Sequence, residues 1–301
     1  MKKESDMETI KEYIVWNNCN NSCSFCFLKT KLQSTYEQKF ESLDLVEEDI
    51  RNTYGGHMLV MGGEIFAEID AKIQNRLKEV FTTISEKMVK NEIGYLYMNT
   101  NLLYRLDFLL SVLDVFKEKN ILDRIKFTTS YDVAGRFKSE SAKKLFKDNI
   151  KYLSANYSPM PIVANTILSN AFCEEVLSGN YSIVDSEKEL GVTINPIPYI
   201  HVMDDGLMPT RKQVVDTLFA LDKQQSNFLK IYCQKMMFDQ PRYLLQFGLD
   251  ANGYGFLENV TAPNAECGHC VNFRRCFSDS DDCFVCLIDK IRKMVYGNAT
   301  F

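Results

Sequence analysis

Short runs of apolar and β-branched residues recur along the first two thirds of the chain, at 13–16, 58–61, 93–98, 125–129, 161–167 and 192–197. Each is bounded by turn-forming residues, as strands of a parallel sheet covered on both faces require. Between them the apolar period lengthens to that of a helix. Over 68–90, Ile69, Ile73, Leu77, Val80, Phe81, Ile84 and Met88 share one face at steps of three and four. Over 102–119, Leu106, Leu109, Leu110, Leu113 and Phe116 do likewise. Shorter helices are expected over 139–153 and 169–178, the latter closed by Gly179 just past its end. Thr210 followed by Gln213 reads as a capping box, opening a helix with Val214, Leu218 and Leu221 on one face.

Six strands alternating with helices make successive right-handed βαβ units, an α/β fold. Six units are fewer than the eight that close a barrel, so a curved, open, partial (β/α)6 TIM-type barrel is expected. Sites in parallel α/β folds gather at the C-terminal ends of the strands. From about residue 240 the pattern changes: Gly248, Gly253 and Gly255 punctuate a hairpin, and a group of cysteines follows. The expected division is a barrel domain over 1–235 and a small metal-binding C-terminal domain over 236–301.

Composition narrows the function classes. With 301 residues, 46% hydrophobic and 25% charged, the chain has material for a sizeable core. Thirty-five basic against 40 acidic residues, net −5, argue against a sequence-independent nucleic-acid surface. Arg274-Arg275 and the basic residues of 290–293 read as solvated faces. No run approaches the apolar length of a membrane span, and the charged first six residues do not resemble a secretory leader. A cytoplasmic protein with no membrane partner is expected. In that setting grouped cysteines point to metal or catalytic chemistry before disulfides. Eight of the ten cysteines fall at 19–26 and 267–286, while Cys173 and Cys233 read as buried small hydrophobes. His57 and His201 receive no role.

The first group lies in Trp16-Asn17-Asn18-Cys19-Asn20-Asn21-Ser22-Cys23-Ser24-Phe25-Cys26, a turn-rich segment after the first strand. A 4Fe–4S cluster normally takes four thiolates. Three cysteines in one loop grip three irons and leave the fourth open to an external ligand. The competing reading is a zinc site completed by a distant residue such as His57.

This C-x3-C-x2-C loop resembles that of the radical S-adenosylmethionine superfamily, and the resemblance covers most of residues 10–200. It implies that Cys19, Cys23 and Cys26 hold a catalytic 4Fe–4S cluster whose open iron is chelated by S-adenosylmethionine. One electron then breaks the S–C5′ bond, and the resulting 5′-deoxyadenosyl radical abstracts hydrogen from a substrate. Phe25 would pack near the adenine. Met61-Gly62-Gly63-Glu64, after the second strand, resembles the family's Gly-Gly-Glu motif. Gly62 and Gly63 would let the backbone approach the methionine moiety, and Glu64 would help to accept its amino group. Ser130-Tyr131-Asp132, after the fourth strand, resembles the Ser-Leu-Asp segment whose Ser130 and Asp132 positions meet the ribose. Arg136 would pair with the methionine carboxylate. Asn99-Thr100-Asn101 resembles the Thr-Asn-Gly region, with Asn in place of Gly. Asn165 and Asn195 occupy the corresponding ends of later strands.

The second group carries Cys267, Cys270, Cys276, Cys283 and Cys286. Two readings stand. Cys267-x2-Cys270 and Cys283-x2-Cys286 fit a four-thiolate zinc. Alternatively, C-x2-C-x5-C over Cys267, Cys270 and Cys276 resembles the core of the SPASM or twitch extension, which implies an auxiliary 4Fe–4S cluster. That extension's next cysteine is absent, since position 280 is Ser, and its Gly-rich hairpin shows Phe256-Leu257-Glu258 with no Cys. One auxiliary cluster on four of the five thiols is the preferred reading. His269 is a possible substitute ligand, read as exposed. By analogy with that extension, the expected substrate is a peptide or protein. A nucleoside, RNA or small metabolite is the alternative. A zinc-stabilised, non-catalytic binding module is the reading from another class. The cluster chemistry further implies a flavodoxin- or ferredoxin-like electron donor.

Overall fold

The computed structural model describes residues 10–15, 19–23, 26, 42–67, 70–132, 135–198, 207, 209–232, 291 and 295. Six strands form one sheet: β1 (Ile10–Ile14), β2 (His57–Met61), β3 (Leu96–Asn99), β4 (Ile125–Ser130), β5 (Ile162–Leu168) and β6 (Thr193–Pro198). Their spatial order follows their chain order, and β1 through β5 pair in parallel. Such an order means that every crossover steps the same way, so right-handed connections carry their helices to one face. That is the winding of a barrel, whereas doubly wound sheets reverse direction. The fold is therefore α/β, with a six-stranded parallel sheet compatible with a partial α/β barrel.

The first strand lies three residues earlier than its most apolar run. Lys11 and Tyr13 explain the shift, because both reach across to Asp49, at 2.6 and 2.8 Å. Lys11 also donates to Thr53 (3.0 Å). The aliphatic stem of a lysine packs on a helix while its ammonium finds a partner at the rim. The ladder then continues one residue past the strand, Val15 N donating to Met61 O (3.0 Å).

One compact unit comprises the chain up to Thr166 together with Asp185–Pro196. In it, α1 (Ser42–Arg51), α2 (Ala71–Val89) and α3 (Asp107–Glu118) pack in succession. Phe66, Phe81, Phe108 and Phe116 join them, with ring centroids 5.8–6.5 Å apart. Side chains on β3 and β4 alternate between buried and partly exposed. The expectation of a sheet covered on both faces holds at β2, where Met58, Leu59 and Val60 are all buried, but not at β3 and β4. One face carries Met98, Phe127 and Ala164 into the core; the other carries Asn99, Thr128, Ser130 and Asn165 and stays accessible.

The sequence reading does not name α1, although Leu43 and Ile50 are fully buried at helical spacing. Glu47 hides the pattern by standing on the same buried face, where Arg76, Arg51 and Thr83 hold it. A charge is tolerated there only because it is paired and hydrogen-bonded. The helix α4 (Glu140–Asn156) begins at Ser139, whose side chain accepts from Ala142 N.

The other unit comprises Ile167–Val184 and the chain from Ile197 onward. In it α5 (Asn170–Leu177) packs on α7 (Arg211–Gln224), burying Phe172, Cys173, Val176, Val214, Leu218 and Leu221. A further helix, α6 (Ile183–Leu190), spans the division of the two units. Gly179 follows α5 with φ 78°, the left-handed residue that a helix stop needs. Cys173 is a buried small side chain, as expected. The Thr210–Gln213 capping box forms in both directions, Gln213 N donating to Thr210 Oγ1 (3.2 Å) and Thr210 N to Gln213 Oε1 (2.8 Å). Thr210→Ala should lower the stability of this unit by about 1 kcal/mol. The midpoint of urea unfolding measures the loss; an unchanged midpoint would mean that the box is dispensable.

Candidate functional site

In a parallel sheet all strand ends of one kind lie along one edge, so segments distant in sequence converge there. Cys19, Cys23 and Cys26 follow β1, Gly62, Gly63 and Glu64 follow β2, and Thr100 and Asn101 follow β3. Ser130 ends β4, and Asp132 and Arg136 come after it.

Asparagines stitch the cysteine loop to this edge. Asn20 Nδ2 donates to Leu103 O (2.8 Å), and Asn101 Nδ2 donates to Asn20 Oδ1 (2.6 Å). Asn21 Nδ2 donates to Arg136 O (3.2 Å). The same groups meet the sulfurs. Cys19 Sγ accepts from Asn21 N (3.4 Å) and from Asn101 Nδ2 (3.6 Å). Cys23 Sγ accepts from Asn21 Nδ2 (3.3 Å) and faces Arg136 Nη1 at 3.9 Å. Cys26 N donates to Cys23 O (3.3 Å), a turn that ties the last two cysteines. Burial pushes the Cys19 thiol up from its ordinary range, against the pull of the Asn21 and Asn101 donors. Cys19 and Cys23 are thus brought to a common donor, Asn21. Among the described residues no three His, Cys, Asp or Glu side chains are gathered within metal-holding range, so the three thiols of this loop do not form one group.

Glu64 lies fully inside, 2% exposed. Ile65 and Phe66 anchor the turn in the core behind it, and Phe66 N donates back to Glu64 Oε1 (3.1 Å). Asn101 N donates to Glu64 Oε2 (2.5 Å), and Thr100 Oγ1 donates within 3.0 Å of both oxygens. Tyr104 Oη stands 2.5 Å from Thr100 Oγ1. Burial outweighs these donors and the nearby Arg136 charge, so the carboxyl is pushed up to about 7.

The segment after β3 is shaped by Leu102, whose φ of 57° lies in the left-handed region. A β-carbon there costs about 1–2 kcal/mol, which the fully buried side chain offsets. The resemblance sets Asn101 opposite a glycine, yet the left-handed residue is the next one along. Asn101 is thereby free to use its amide on the sulfur.

Tyr131 explains its own departure from Leu: it is buried and stacks on Phe146 at 5.7 Å, an apolar position in which either residue fits. Asp132 is buried beside it. Asn99 Oδ1 accepts from Thr128 Oγ1, and Asn195 Nδ2 donates to Asn165 Oδ1 (3.0 Å), so the open face carries neutral hydrogen-bonding groups. His57 Nδ1 accepts from Tyr95 N (3.0 Å), a local bond at the opposite ends of the strands. Phe25, Cys233, His201, His269 and the five cysteines of 267–286 lie outside the described residues.

Sequence reasoning treated Asn20 and Asn21 as turn-formers. The available signal was the density of asparagine at 17, 18, 20, 21, 99 and 101, far more than one turn needs. No protein-family model matches this chain, and no curated protein matches it either.

Proposed function

We propose that the chain is a radical S-adenosylmethionine enzyme that modifies a peptide or protein. In this reading Cys19, Cys23 and Cys26 hold a 4Fe–4S cluster. Gly62, Gly63, Glu64, Asn99, Ser130, Asp132 and Arg136, with Phe25, hold S-adenosylmethionine. Bound together, the two groups supply one-electron reductive cleavage of a sulfonium and hydrogen abstraction from a substrate.

The residues fit that task by their chemistry. Cys19 and Cys23 offer sulfur that already accepts from N–H donors, and these work against the burial that holds the Cys19 thiol above its ordinary range. Glu64 presents a buried carboxyl to neutralise an ammonium group. Arg136, 5% exposed, has its Nη groups on Cys23 and Asn101 and leaves its buried Nε–H for a carboxylate. Asn99, Ser130 and Asn165 can orient a polar ligand on the open face without adding charge. The carrying observation is Asn101. Its side chain reaches Cys19 and its backbone N–H reaches Glu64, so the cysteine loop and the Gly-Gly-Glu segment meet at one residue.

Four of Cys267, Cys270, Cys276, Cys283 and Cys286 are proposed to hold an auxiliary 4Fe–4S cluster in a C-terminal domain. The peptide or protein substrate follows from analogy with chains that carry such a tail. A flavodoxin- or ferredoxin-like protein would deliver the electron.

Metal and sulfide analysis of anaerobically purified protein tests the reading, together with an assay for 5′-deoxyadenosine after adding dithionite and S-adenosylmethionine. About eight iron atoms per chain and formation of the nucleoside are expected. Stoichiometric zinc with neither iron nor nucleoside would sink it in favour of a binding module.

A further inference from the structure

We propose that Asn21, Asn101 and Arg136 set the reduction potential of the iron–sulfur cluster by placing N–H donors on the Cys19 and Cys23 sulfurs. This rests on the cluster reading above and adds to it a control that the sequence motif does not contain. Two donors converge on each sulfur: Asn21 N and Asn101 Nδ2 on Cys19, Asn21 Nδ2 and Arg136 Nη1 on Cys23.

An N–H group aimed at a thiolate draws charge from it. Reduction adds one electron to the cluster, so each donor stabilises the reduced form more than the oxidised form and raises the potential. Arg136 should weigh most, because its guanidinium is buried and carries a full charge. Its Nη2 is held by Asn101 O (3.3 Å), which aims Nη1 at Cys23. Asn101 is fixed in turn, its Oδ1 accepting from Leu103 N (2.8 Å) and its N–H bound to Glu64. Neither group swings freely away from sulfur. They are positioning residues of the electron-accepting step, acting through the ligands.

The test is an electron-paramagnetic-resonance redox titration of the full chain with reconstituted cluster. The signal is assigned in the wild type, as the one that changes when S-adenosylmethionine is added, and is then followed in the variants without that ligand, which separates the Cys19/Cys23/Cys26 cluster from an auxiliary one. Asn101→Asp keeps the acceptor for Leu103 N and exchanges the donor for a negative charge. Arg136→Gln keeps a donor and removes the positive charge. Asn21→Ala removes one side-chain donor. At a fixed poise the ratio of reduced to oxidised cluster should fall about tenfold or more in Asn101→Asp and Arg136→Gln, and a few-fold in Asn21→Ala. For one electron, tenfold corresponds to about 59 mV. Wild-type iron content with unchanged midpoints in these variants overturns this inference and leaves the cluster reading standing. Wild-type chain that takes up no iron sinks the cluster reading and this inference with it. Where one variant does not retain iron, the other two decide by the same midpoint.

Discussion

Replacing Cys19, Cys23 and Cys26 together by alanine is expected to remove about four iron atoms per chain and to abolish formation of 5′-deoxyadenosine. About four iron atoms should remain, held by the cysteines of 267–286. The reason is local. The three thiols stand in one loop, and Asn20, Asn21 and Asn101 fix that loop to the strand edge through bonds that do not use cysteine. Alanine at the three positions therefore leaves the loop's anchors in place, and the loss reads on metal binding instead of folding. Full wild-type iron in the triple variant, or nucleoside formed at the wild-type rate, would remove these residues from the chemistry. Loss of all metal would instead mean that both groups of cysteines depend on one site.

The second large effect concerns Glu64. Its carboxyl, fully buried, is pushed up from an ordinary value of 4.5 to about 7. The folded chain then binds more protons than the unfolded chain between those values, so stability falls as pH rises through them. The favourable contribution is complete below about pH 4.5 and lost by about pH 7. At 1.36 kcal/mol per pH unit, the loss is about 3 kcal/mol. Other carboxylates run the opposite way: Asp49, held low by Lys11, and Glu189, held low by Lys147, contribute stability that disappears only as pH falls through the acid range. Comparison with Glu64→Gln separates the Glu64 contribution from that of any other group that titrates between 4.5 and 7. Urea unfolding of the wild type should show declining stability across it, and Glu64→Gln should not share the decline. Parallel profiles for the two proteins would show that burial does not govern this group. Under the proposed function, S-adenosylmethionine at pH 7.5 should stabilise the wild type more than Glu64→Gln. An ammonium beside the carboxylate would offset the charge that burial disfavours.

Much of the site was legible because its parts are local. Gly62-Gly63-Glu64 can be placed at the end of β2 because the apolar run before it stops there, and Ser130 at the end of β4 for the same reason. The Thr210–Gln213 box was readable because its partners are three residues apart. The roles of Asn21 and Asn101 were not readable, since asparagine is common in turns and its side chain carries no direction in a sequence. Glu47 shows the same limit in the core. A charge on the apolar face of α1 breaks the pattern unless Arg76 and Thr83 are known to stand opposite.

The sequence by itself determined the alternation of strand and helix, the places where strands end, and the thiol, carboxyl and amide groups available at those ends. Only the tertiary structure decided which of them touch. Asn101 meets Cys19 across 82 residues, and Arg136 meets Cys23 across 113. It also decided that Glu64 loses its water, the burial that pushes its carboxyl up to about 7. Periodicity is set by neighbours a few bonds away, whereas a hydrogen bond to sulfur or the burial of a carboxyl exists only after the parallel strands have aligned their ends.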